Sequence, residues 1–180
     1  MLSQTVLDGS FKLTLYPRKW EDLVSAVLGA GCKIIPFAMA VGKRLPTVER
    51  EFVGRYVMIS STDLGSREPT ERSVIYDLAR RAGLAECHPQ AGWELLIARY
   101  RASLPEYRPK ADQKMTPEME IADKILHLPI RDLLIGSEPI KMGPNFFQLF
   151  EIRDGQTMST EAGDGIISLR EGREWLFKVA

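Results

Sequence analysis

The spacing of apolar positions divides the chain into alternating strand and helix segments. Phe11, Leu13 and Leu15 alternate with Lys12, Thr14 and Tyr16, the pattern of a strand buried on one face. Asp8-Gly9 just before it is a favoured turn pair, which predicts an N-terminal hairpin. Trp20, Leu23, Val24, Val27 and Leu28 then recur at helical spacing, with Gly29 and Gly31 as stop signals, so a helix is expected over 18–28. Residues 33–41 read as a short apolar strand interrupted by Pro36, and 42–54 as a polar connection. Tyr56-Val57-Met58-Ile59 reads as a buried strand.

Three helices are predicted next. The first, over 70–82, carries Val74, Ile75, Leu78, Ala79 and Ala82 on one face. The second, over 89–103, starts at Pro89 and has the stripe Trp93, Leu96, Ile97 and Tyr100. The third opens on Thr116-Pro117-Glu118, a cap residue, a first-turn proline and an acid at the positive end of the helix dipole. After Gly136 the texture becomes β. A strand over 145–152 turns at Asp154-Gly155 into 157–160, and a second hairpin joins 165–169 to 174–179 across Arg170 to Arg173. Helices gathered in the middle and strands toward the ends favour an α+β fold over a doubly wound sheet. The expected organisation is a single domain over 1–180, with a β subdomain over 137–180 as a variant and a candidate linker, rich in Pro and charge, over 104–116.

Composition adds exclusions. Two cysteines, Cys32 and Cys87, are too few for a disulfide framework or a structural zinc site. The 24 basic residues equal the 24 acidic ones, which disfavours a dedicated nucleic-acid binder. Residues 1–60 hold eight basic and five acidic side chains, whereas 111–180 hold eight and twelve. That asymmetry would suit head-to-tail contact between copies or contact with two partners. The first residues lack the basic-then-apolar pattern of a signal peptide. The longest apolar run, Ile34 to Val41, is far short of the ~20 residues that span a bilayer. The expected location is the cytoplasm or a particle assembled there, with both chain ends paired into sheets or held by neighbours.

Four places hold residues suited to chemistry. The loop after the Tyr56–Ile59 strand, Ser60-Ser61-Thr62-Asp63-Leu64-Gly65-Ser66-Arg67-Glu68, lies between a strand end and a helix start, where backbone N–H groups favour anions. Ser60, Ser61, Thr62, Asp63 and Arg67 are its phosphate-binding candidates. The bland alternative is a solvated turn whose hydroxyls cap the next helix. Cys87-His88 could offer a thiol at a helix start, or simply an N-terminal cap. His127 reads as a structural histidine at a helix C-terminus. Arg99-Tyr100-Arg101 and Tyr107-Arg108-Pro109-Lys110 interleave cations and rings; Arg99, Arg101, Arg108 and Lys110 are the nucleic-acid candidates. Trp20, Trp93 and Trp175 are expected in the core, with the last strand, which holds Trp175 and Phe177, as a docking edge.

Ile59, Ser60, Ser61, Thr62, Asp63, Leu64, Glu71, Arg72, Ala82 and Gly83 loosely resemble the strand, Ser-Ser-Thr loop and helix that open some TIR-like domains of uncharacterised function. The resemblance covers 25 residues and stops at Gly83. In those domains the motif stands at the start, whereas here more than 50 residues precede it. No catalytic constellation, metal site or cofactor is indicated. The leading expectation is a non-catalytic protein that acts through a protein partner or copies of itself, as a subunit of a larger bacterial or viral assembly. The alternatives are a nucleotide- or phosphate-binding domain or enzyme using Ser60 to Glu68, and a nucleic-acid accessory protein.

Overall fold

The computed structural model describes residues 7–66, 70–144, 146–163 and 173–180. These form an α+β fold: five helices and a mixed nine-stranded sheet. In chain order they are β1 (Phe11–Leu15), α1 (Trp20–Gly29), β2 (Lys33–Ile34), α2 (Pro36–Gly42), β3 (Phe52–Ser60), α3 (Arg72–Arg81), β4 (Leu84–Ala85), α4 (Ala91–Ser103), α5 (Pro117–Leu126), β5 (Leu133–Ile135), β6 (Ile140–Met142), β7 (Phe146–Arg153), β8 (Thr157–Gly163) and β9 (Glu174–Val179). The main strand order is β1-β3-β9-β5-β7-β8-β2; β4 also pairs with β9, and β6 with β7.

Alternation along the strands builds two cores, one on each face of the sheet. Leu133, Ile135, Phe150, Ile152 and Leu176 join Phe11, Leu13, Leu15 and Tyr56 on the face covered by α1, α2, α4 and α5. The residues between them, Leu134, Leu149, Trp175 and Phe177, join Val57 and Ile59 beneath Ile75, Tyr76 and Ala79 of α3. A sheet covered on both sides explains why Leu133–Ile135 is apolar at every position.

Several expectations change. β1 pairs antiparallel with β3, Phe11 opposite Tyr56, and Leu7 and Asp8 are helical, so Asp8-Gly9 leads out of a helix rather than around a hairpin. Two basic side chains hold that helix end by its carbonyls: Arg55 Nη2 donates to Leu7 O at 3.0 Å and Lys124 Nζ to Asp8 O at 2.6 Å. The strand expected over 33–41 is two residues long, because Pro36 starts α2. Its ring fixes φ and its missing N–H is no loss in a first helical turn. The Asp154-Gly155 turn forms as expected, both residues at positive φ, joining β7 to β8.

The largest correction concerns β9. It pairs with β3 on one side and with β5 and β4 on the other, so the last strand is interior and offers no docking edge. Residues 165–169, the expected partner in the second hairpin, lie outside the described residues. Trp93 and Trp175 are fully buried, whereas Trp20 is half-buried and lies on Gly42, where a Cβ would overlap its ring. Ala91 to Ile97 of α4 are buried at every position, while Tyr100, expected on the buried stripe, is exposed.

Candidate functional site

One outer strand of the sheet, β1, has a cleft beside it. Among the described residues β1 pairs with β3 alone. An edge strand leaves every second residue's N–H and C=O directed away from its neighbour. Along β1, helices α4 and α5 and the short 3-10 turn Pro105–Tyr107 enclose a cavity of about 390 Å³. Its walls are largely apolar, with Val53, Ile97, Ala98, Ile121 and Ile125 among them. Lys12, Thr14, Tyr16, Arg101, Tyr107 and Glu118 supply the polar groups.

Each wall has a sequence cause. The Thr116-Pro117-Glu118 start works as read: Thr116 Oγ1 accepts from the Met119 N–H at 3.3 Å. That fixes where α5 begins and places Ile121 and Ile125 one turn apart on the cleft side. The segment 104–116 contributes Tyr107 to the wall.

One buried carboxylate organises the end of the cleft. Glu94, 2 % exposed, accepts from Arg18 Nε at 2.9 Å, Gln90 Nε2 at 3.1 Å and the Tyr16 N–H at 3.4 Å, all on Oε1. Gln90 Nε2 also donates to Tyr16 O at 2.8 Å. These bonds tie the chain leaving β1 to α4 and neutralise the acid, as burial of a charge demands. The guanidinium carbons of Arg18 and Arg101 stand 5.2 and 5.9 Å from the Tyr16 ring centroid. Sequence reading passed over Glu94, although a signal was there: one acid inside the apolar run Trp93-Glu94-Leu95-Leu96-Ile97.

The residues singled out in the sequence are dispersed. In the loop after β3, Ser60 Oγ donates to Asp63 Oδ2 at 2.7 Å and accepts from the Asp63 N–H at 3.0 Å. The Ser61 N–H donates to Arg173 O at 2.9 Å, and its buried hydroxyl has no partner among the described residues. Asp63 lies close enough to Glu174 to add to the effect of burial, which holds the Glu174 carboxyl above the usual carboxylate range. Two acids at this loop repel a phosphate. Thr62 is exposed there, and Arg67 lies outside the described residues. Arg99 and Arg101 diverge: Arg101 lines the cleft, whereas Arg99 lies near Cys32 and the Gly155 turn. Arg108 and Lys110 are exposed on the segment before α5.

Cys87 is buried with its thiol directed at the Gly136 and Leu176 carbonyls, and burial pushes its pKa up to about 12. A thiol so protonated is no nucleophile. His127 is exposed, its Nδ1 2.8 Å from Asp123 O. Among the described residues no three His, Cys, Asp or Glu side chains stand where they could hold a metal ion, and no helix is long and apolar enough to cross a membrane.

His88 is not the cap of α4, whose N-cap residue is Gln90; its Nδ1 accepts from the Gln90 N–H at 3.1 Å in the turn ahead of the helix, which requires the neutral ring. Burial lowers its pKa, so below ~6.5 the unfolded chain takes up a proton that the folded chain resists. Stability should therefore fall as pH drops below about 6.5 and level off once the pH is under the lowered folded value. Chemical denaturation at stepped pH checks this against His88→Asn, whose amide oxygen keeps an acceptor without titrating. Parallel pH profiles for the two proteins would remove the role.

No family model matches the chain, and neither does any curated protein or solved structure.

Proposed function

We propose that this protein is a non-catalytic binding subunit that holds an extended segment of a protein partner in the cleft along β1. The observation that carries the reading is the coincidence of an outer strand with an apolar cavity beside it. A bound strand gains main-chain hydrogen bonds from the sheet edge and side-chain specificity from the adjacent pocket. The cavity lies within the range of sites that receive side chains or small ligands. The Glu94–Gln90–Tyr16 hydrogen bonds hold the strand's end against α4, so little ordering is left to occur on binding. A subunit working in this way fits an assembly built by strand addition.

A displayed library of ten-residue peptides tests the proposal. Selected binders should slow hydrogen exchange of the Lys12 and Thr14 amides, which alternate with those facing β3, and Ala98→Trp, which fills the cleft, should abolish binding without unfolding the protein. Binders that leave those amides unprotected, or tolerate Ala98→Trp, would show that the site lies elsewhere.

A further inference from the structure

The charges at the cleft indicate what kind of segment it takes. Four charged side chains of opposite signs line it: Lys12, Arg101, Glu94 and Glu118. The two acids are already engaged. Glu94 is neutralised by Arg18, and Glu118 is turned to the start of its own helix, where backbone N–H groups and the Thr116 hydroxyl hold its carboxyl below the usual range. The two cations are not. Among the described residues neither Lys12 nor Arg101 forms an ion pair; the contact of Arg101 is the face of Tyr16. With Glu94 offset by Arg18, the two cations outnumber the one remaining acid, Glu118, so the cleft presents a net positive charge beside apolar walls.

Building on the strand-addition reading, we infer that the partner segment is acidic: an Asp or Glu side chain, or a terminal carboxylate, pairs with Arg101 and Lys12, and a neighbouring apolar side chain fills the space between Val53, Ile97 and Ile121. A guanidinium resting on an aromatic ring keeps its N–H edge free and oriented, which suits a carboxylate held by two parallel hydrogen bonds. Residues i and i+2 of a strand share a face and i+1 points away, so acid and apolar anchor are expected two positions apart. A nucleic-acid strand would leave the apolar wall unused, and Arg99, Arg108 and Lys110 are not among the residues that line the cleft.

The test uses the whole chain and three synthetic ten-residue peptides with one shared apolar anchor, carrying Glu, Gln or Lys two positions away, plus a ten-nucleotide single strand. Titration by fluorescence anisotropy should show the Glu peptide binding about tenfold tighter than the Gln peptide, the Lys peptide weaker still, and the preference shrinking as salt rises. In Arg101→Gln, which is exposed and should unfold at the wild-type temperature, the Glu and Gln peptides should converge. Equal affinities in the wild-type protein, with β1 amides still protected, would overturn the acidic preference and leave the strand-addition reading intact. Protection by none of the peptides would overturn both. Displacement of bound peptide by the oligonucleotide would overturn the choice of a protein segment.

Discussion

Glu151→Ala should lower the free energy of unfolding by about 3–5 kcal/mol, a large share of what a domain of this size possesses. Glu151 sits in the middle of β7 with no exposed surface. Its Oε1 accepts from Ser159 Oγ at 2.8 Å and Arg153 Nη2 at 2.6 Å, and Oε2 is bound by Arg173, which also reaches Glu161. Desolvating this carboxylate is costly, and the network offsets the cost only while complete. Removing the acid leaves the Arg173 guanidinium largely buried and deprived of that partner. Arg173 stands at the entry to β9, the strand that joins the two halves of the sheet. Urea unfolding of Glu151→Ala, Arg173→Met and the double variant Glu151→Met/Arg173→Met separates the effects. The double variant should recover much of the single losses, because only Glu161, partly exposed, is then left without its cation. A loss near ~1 kcal/mol for Glu151→Ala, as for an exposed pair, would refute the account.

Trp93→Ala should cost a similar ~3–5 kcal/mol, here through a cavity rather than a charge. The indole is fully buried in the first turn of α4, edge-on to Trp20 at 5.0 Å and to Phe150 at 5.3 Å between ring centroids. It thus links α1 to the sheet through α4. In a protein of this length the loss corresponds to a fall in Tm of roughly 6–20 °C. Trp93→Phe should cost clearly less, because the indole N–H has no partner among the described residues to lose. The 45 % exposed Phe37 is the control: Phe37→Ala should change stability by less than about 1 kcal/mol. Thermal unfolding of the three variants decides, and a Trp93→Ala protein that melts with wild type would exclude this packing.

Much of the local structure was legible in the chain. The β1 alternation, the helix after Pro17, the Thr116 cap and the Asp154-Gly155 turn all depend on contacts within a few residues, which apolar period and turn chemistry report. Pro36 shows the limit. The same residue that interrupts a strand opens a helix, and an apolar run of nine residues suits either. Tyr100 shows another: α4 is buried all round over its first half, so its burial has no stripe to read.

The candidate site was less legible. Arg101 stood among the nucleic-acid candidates because cations and rings interleave there; the fold places it on the wall of the cleft beside β1. Lys12, Tyr16, Glu94 and Tyr107 come to one cleft from β1, the segment after it, α4 and the turn before α5, and no spacing in the sequence links them. The loop from Ser60 to Ser66, the most chemically suggestive stretch, folds its serine onto its own aspartate.

The sequence alone determined the α+β class, the order of most elements and which side chains seek the interior, because these follow from local backbone preference and the cost of exposing apolar surface. Tertiary structure decided which strands are neighbours. That the C-terminal strand is central, that β1 is an outer strand, and that Glu151 meets Arg173 are consequences of pairing between residues far apart in the chain. Such pairing is set by the burial of both sheet faces together, and no single segment encodes it.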